Sequence, residues 1–120
     1  VEETVENVTK FKEENLQAVY QGMYLVTNGS HGTLRTAFND LPVKVAAKTG
    51  TAEEDKNRSS HTWFVCFAPF DDPQIAITVM IPFGEGSGTP APAVAKAIIR
   101  EYLGLDYTPT NTTMQTVLAE

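Results

Sequence analysis

The stretch Val45-Ala46-Ala47-Lys48-Thr49-Gly50-Thr51-Ala52-Glu53 decides how the rest of the chain is read. An apolar run leads into a lysine, two threonines and a glycine, the pattern of a β-strand that ends at a binding surface. Successive side chains on a pleated strand point to opposite faces, so Lys48, Gly50 and Ala52 share one face and Thr49 and Thr51 the other. Gly50 has no side chain, which lets a ligand lie close against the backbone. Each threonine adds a hydroxyl on a β-branched frame suited to a strand, and Lys48 adds a positive charge. Together these groups call for an anion, such as a carboxylate.

Outward from this stretch, the strand is expected over Val43 to Ala52. Glu53 to Ser60 is a polar run with nothing apolar to bury, read as a solvated connection rather than a carboxylate pair for acid–base work. His61 to Pro69 is the next strand, with Trp63, Val65 and Phe67 alternating with Phe64, Cys66 and Ala68, so both faces should be covered. Asp71-Asp72-Pro73 signals a turn, and Gln74 to Ile81 a third strand rich in Ile, Val and Thr. Local connections between the three imply an antiparallel meander.

Upstream, Leu16, Val19, Tyr20, Met23 and Val26 fall at three- and four-residue spacing. They predict a helix from Glu13 that stops at Asn28-Gly29, where glycine can take the left-handed conformation. Ser30 to Thr33 reads as a loop, and Leu34 to Leu41 as a short amphipathic turn or helix before Pro42. Gly84, Gly86, Gly88 and Pro90 mark a further loop. Ala91 to Leu103 is a second helix through Val94, Ala97, Ile98, Ile99 and Tyr102, with Gly104 as its stop. Val1 to Lys12 is extended or mixed, and Asp106 to Glu120 is a polar tail.

Composition bounds the function. The 120 residues make one domain at most, with room for a core. With 9 Lys and Arg against 15 Asp and Glu, the net charge is −6, and no basic stripe could displace phosphate counterions, so no nucleic-acid partner is expected. No apolar run approaches the roughly 18 residues of a membrane span. Cys66 is the single cysteine and cannot close an internal disulfide. His31 and His61 are too far apart in sequence, with no carboxylate cluster beside them, to be read as metal ligands, so neither a metal nor a cofactor is expected. Trp63, Phe64 and Phe67 are read most simply as core, the alternative being an aromatic near the cleft that touches substrate.

Lys48-Thr49-Gly50 is also one of the motifs of penicillin-binding proteins and class A β-lactamases. Around it, Gly22-Met23, Val26 and Gly32-Thr33 look like the helix and loop that precede the motif strand in that family. His61-Thr62-Trp63-Phe64-Val65 looks like the following strand, and Asp72-Pro73-Gln74-Ile75-Ala76-Ile77, the glycine-rich loop and Ala91-Pro92 continue the order. The chain thus resembles the C-terminal part of a penicillin-binding protein transpeptidase domain, of the class B, elongation type, with residues 13–104 best matched and 105–120 a tail. The resemblance implies an α+β fold: a three-stranded antiparallel sheet flanked by helices, part of the five-stranded sheet of a serine β-lactamase/transpeptidase-like fold. Gln74 to Ile81 would then expose an unpaired edge unless another chain fills it.

By the same resemblance, Lys48 and Thr51 are catalytic, and Thr49, Gly50 and Thr51 bind substrate. Lys48 would raise the local positive potential, the two threonine hydroxyls would hold a carboxylate of a β-lactam or a peptidoglycan stem peptide, and the Thr51 N–H would be one oxyanion donor. The family's nucleophile lies in Ser-x-x-Lys and a second motif is Ser-x-Asn. Ser30, Ser59, Ser60 and Ser87 are the four serines here, and none opens either pattern. A companion polypeptide with both motifs is therefore expected, this chain alone being inactive, on the extracytoplasmic face of a bacterial cytoplasmic membrane and anchored through a segment outside it. The implied whole is a D,D-transpeptidase that cross-links peptidoglycan through an acyl-serine intermediate. Rival readings are a β-lactam sensor that acylates without turnover, a D,D-carboxypeptidase or β-lactamase, and a structural interaction module.

Overall fold

The computed structural model describes residues 9–53, 57–84 and 91–105. The expectations for residues 1–8, for the middle of the Glu53–Ser60 connection, for the glycine-rich loop and for the tail fall largely or wholly outside these. Helix α1 spans Glu13–Asn28, strand β1 Ala46–Ala52, β2 His61–Ala68, β3 Ile75–Ile81 and helix α2 Ala91–Tyr102. The strands form one antiparallel sheet in the order β1-β2-β3, as the local connections required. Thr49 lies opposite Phe64 and Lys48 opposite Val65, while Val65 in turn lies opposite Thr78.

β1 starts three residues later than expected because its lead-in is bound elsewhere. The Lys44 carbonyl accepts the Phe70 N–H at 2.8 Å, while the Val45 carbonyl turns to α1. β2 stops at Ala68, before Pro69, which has no N–H to give a ladder. Between α1 and β1 the chain makes turns rather than a helix, with Ala37 N–H on Leu34 O at 3.0 Å and Leu41 N–H on Phe38 O at 3.1 Å. These turns deliver Phe38 and Leu41 into the core.

The core lies on one face of the sheet. Val45, Ala47, Phe64, Cys66, Ala68 and Ile77 point toward α2, which buries Ala91, Ala95 and Ile99 against them. The apolar positions of α2 expected from spacing divide: Ile99 is buried, but Val94, Ile98 and Tyr102 are exposed, because the line the helix turns to the sheet is Ala91, Ala95 and Ile99 at four-residue spacing. The other face of the sheet departs from expectation. Trp63 is 40% exposed, Val65 37% and Met80 45%, so the second face of β2 is not fully covered and Trp63 is not core. α1 explains this, since it lies along β1 and reaches β2 only at its end, where Tyr20 meets Phe67 edge-on at 5.5 Å between ring centroids.

The helix ends follow two different rules. At α2, Gly104 has φ +63, Leu105 N–H bonds Arg100 O at 2.8 Å and Gly104 N–H bonds Glu101 O at 3.2 Å, the paired bonds of a left-handed glycine cap. At α1 the expected left-handed glycine is not found. Gly29 is extended, at φ −75 and ψ 150, and its N–H closes the helix on Leu25 O. Glycine is needed there for space, because a Cβ would stand 2.6 Å from that same oxygen.

Candidate active-site wall

β1 is an edge strand, and its two edges have different uses. The Lys44 carbonyl faces β2, through its bond to Phe70, whereas the Val45 carbonyl accepts from α1 on the opposite side. Backbone polar groups alternate along a strand with a period of two. The peptide groups of Ala47, Thr49 and Thr51 therefore follow Val45 onto the outer edge, and those of Ala46, Lys48 and Gly50 bond β2. Lys48, Thr49, Gly50 and Thr51 are all exposed. The Lys48 ammonium donates to the Thr49 carbonyl, which keeps a positive charge at this edge.

The side chains divide as the pleat requires. Lys48 and Gly50 stand on the open face with Val65 and Trp63 as cross-strand neighbours, while Thr49 and Thr51 stand on the core-side face opposite Phe64 and Thr62. A Cβ on Gly50 would meet only the Trp63 Cβ, at an ordinary 3.6 Å. Among the described residues nothing requires glycine at that position. The four residues thus form one open wall that can donate N–H and O–H bonds to an anion laid along the edge, with a cation beside it.

α1 holds the start of this wall with Asn28, read from the sequence only as part of a helix stop, and with Thr27, which sequence reasoning missed. Thr27 is the buried residue of α1, and its hydroxyl donates to the Val45 carbonyl. The Asn28 amide donates to the same carbonyl at 2.9 Å, and also reaches Thr27 Oγ1 at 2.8 Å and Tyr24 O at 3.1 Å. Polar residues at a helix end beside an apolar strand were the available signal. Immediately after, Gly32 packs so tightly on the last turn that a Cβ would lie 2.4 Å from both Leu25 O and Val26 O.

Other candidates lie away from the wall. His31 sits in the loop after α1, and His61 opens β2, where its Nδ1 accepts the Phe83 N–H at 3.2 Å. Among the described residues no group of three or more His, Cys, Asp or Glu converges on a metal position. Burial pushes the Cys66 thiol up to about 12, so it stays protonated and inert. A cleft of about 570 Å³ between α1 and the sheet is lined by Tyr20, Phe67, Phe70 and Pro73. It lies at the far end of the strands from Thr51 and includes none of Lys48 to Thr51.

The profile of the family described as the penicillin binding protein transpeptidase domain matches residues 1–100. The chain belongs to this family. Among curated proteins it is 34% identical over 101 residues to the peptidoglycan D,D-transpeptidase MrdA of Haemophilus influenzae, covering 72% of this chain and 16% of that protein. Among solved structures it is similar to PBP2 of Pseudomonas aeruginosa in complex with WCK 5153, with 38% identity and a TM-score of 0.68 over 82% of this chain and 21% of that one. It is also similar to penicillin-binding protein 2B of Streptococcus pneumoniae, with 30% identity and a TM-score of 0.70 over 87% of this chain and 18% of that one. These matches fix the fold as that of transpeptidase domains, with the sheet and two helices described above as a portion of it. The chain spans about a sixth of the length of the curated relatives it matches.

Proposed function

We propose that this chain is the Lys-Thr-Gly wall of a serine D,D-transpeptidase that cross-links peptidoglycan and is acylated by β-lactams. The observation that supports it is the composition of one strand edge: Lys48, Thr49, Gly50 and Thr51 are all exposed, and the peptide groups of Thr49 and Thr51 point away from β2. The names of relatives that align with the chain point the same way.

In this reading a serine from another segment attacks the carbonyl carbon of the stem peptide or of the β-lactam. Negative charge develops on the carbonyl oxygen, and the Thr51 N–H is one of two donors aimed at it. The C–N bond then breaks, the nitrogen gains the proton given up by the serine hydroxyl, and an ester to the serine remains; the amine departs from a stem peptide and stays tethered in an opened β-lactam. A second stem's amine attacks that ester, forms the cross-link and releases the serine. Lys48 supports the Ser-x-Asn serine and keeps the site positive, and the Thr49 and Thr51 hydroxyls hold the substrate carboxylate. The nucleophile and Ser-x-Asn motifs come from a companion polypeptide segment, and the site works on the extracytoplasmic face of the membrane. No helix among the described residues is long and apolar enough to cross a membrane.

Fluorescent penicillin tests the proposal. The isolated chain should show no covalent label, and a polypeptide that joins it to segments with Ser-x-x-Lys and Ser-x-Asn should label stoichiometrically, with Lys48→Ala lowering the rate at least tenfold. Stoichiometric label on the isolated chain, or an unchanged rate in Lys48→Ala, sinks it. Cross-linking of a stem-peptide donor to an amine acceptor separates a transpeptidase from a carboxypeptidase or a sensor.

A further inference from the structure

β1 is laddered to β2 on one side only, so the aim of its outer edge depends on whatever holds the other side. Among the described residues, two outer carbonyls accept from side chains: Thr49 O from Lys48 of the strand itself, and Val45 O from a different element, through the Thr27 hydroxyl and the Asn28 amide at the end of α1. We propose that Thr27 and Asn28 are positioning residues for acyl transfer, a clamp that sets the angle of the Thr49–Thr51 edge. The inference rests on the reading of Lys48 to Thr51 given above.

Three observations carry it. First, the donors are specific. Thr27 is the buried residue of its helix, and where an aliphatic side chain would serve packing alone, it presents a hydroxyl to a strand carbonyl. Second, the two side chains are tied to each other and to the helix: the two amide hydrogens of Asn28 are shared among Val45 O, Thr27 Oγ1 and Tyr24 O, and the Thr27 hydroxyl, whose shorter contact is to Val45 O, also lies 3.2 Å from Tyr24 O. Third, Val45 belongs to the same edge as Thr51, six residues or about 20 Å upstream at roughly 3.3 Å per residue. A tilt of about 3° at Val45 moves the Thr51 N–H by about 1 Å, and a misplacement of that size at a reacting centre costs on the order of a hundredfold in rate. The clamp touches no substrate and acts only through the strand it holds.

The experiment uses the full protein that contains this chain with its Ser-x-x-Lys and Ser-x-Asn motifs, and reads β-lactam acylation by stopped flow. Thr27→Val keeps the shape and removes the donor, and Thr27→Ser keeps the donor. The expected result for Thr27→Val is an acylation rate constant about tenfold lower with the pre-acylation Kd within twofold of wild type, while Thr27→Ser stays within twofold in both. If Thr27→Val does not fold, Asn28→Ala at the part-exposed partner carries the same expectation. Wild-type acylation in the variant that folds, a loss that Thr27→Ser shares, or a loss matched by the fraction of unfolded protein overturns the clamp. A Lys48→Ala arm separates the failures. If Lys48→Ala abolishes acylation and the clamp variants do not slow it, the clamp is wrong and the site reading stands; if Lys48→Ala acylates normally, the site reading itself is wrong.

Discussion

Single residues in this chain sort by whether their surroundings leave room. At Gly32 a Cβ would press two backbone carbonyl oxygens of α1, and neither can move without opening the helix end that carries Thr27 and Asn28. At Gly50 a Cβ would make an ordinary contact with Trp63. Gly32→Ala is therefore expected to lower stability by about 1–3 kcal/mol, as overpacking does, measured as a shift in urea midpoint. Gly50→Ala should leave that midpoint in place and, on the proposed site, slow acylation by putting a methyl where substrate would lie against the strand. Cys66 illustrates the opposite environment, a thiol lined by core residues and pushed up to about 12 by burial. It should resist Ellman's reagent in the folded protein and react fully in urea. Its folded pKa lies above the ordinary 9.0, so its contribution to stability is intact below that pH and is lost as pH rises toward about 12. The urea midpoint should accordingly fall faster above pH 9 in wild type than in Cys66→Ala.

At the scale of elements, what ties the connection before β1 to α2 is electrostatic as well as apolar. Asp40 takes the Lys96 ammonium and the Arg100 guanidinium, each at 2.9 Å, from successive turns of α2. The Lys96 hydrogen bond lowers the Asp40 pKa below its ordinary 3.8, with burial opposing and Arg100 adding to the shift. A depressed carboxylate pKa means that the bridge stabilises the fold above the ordinary value and is lost as pH falls through the lowered one. The carboxylate is about half exposed, so the gain is screened and lies below about 1 kcal/mol. Asp40→Asn should melt slightly earlier than wild type at pH 7 in low salt, and the difference should shrink as acid titrates the carboxylate through its lowered pKa, or in 1 M salt. This bridge was not legible in the sequence, where its partners are 56 and 60 positions apart. The strands were legible, because their alternation and turn signals are local. So was the length of α1, although the conformation of its closing glycine was not: the need for space at Gly29 comes from Leu25 O, which only the folded helix puts there.

At the scale of the whole molecule, the sequence carried the motif and the order of elements, but not which faces would be covered. Alternation told that β2 is apolar on both sides; it could not tell that α2 seals the Phe64 side while α1 leaves Trp63, Val65 and Met80 partly open. The same holds on α2, whose Val94, Ile98 and Tyr102 stay outside although their spacing looked like a core stripe. For the site, the resemblance carried by Lys48-Thr49-Gly50 gave the chemistry proposed above, while the Val45 carbonyl and its two donors are seen only in the fold. Those contacts are 17 and 18 residues distant in sequence, which spacing does not report.

The bond from the Lys48 ammonium to the Thr49 carbonyl has a further consequence, for solubility rather than catalysis. A bare strand edge is a template on which another chain's strand can add, and a lysine placed along it is a common deterrent. By occupying an outward carbonyl with a strongly hydrated charge, Lys48 makes that edge a poor seed for intermolecular sheet growth. The side chain that keeps the site positive in the proposed function thus also keeps other backbones off the edge.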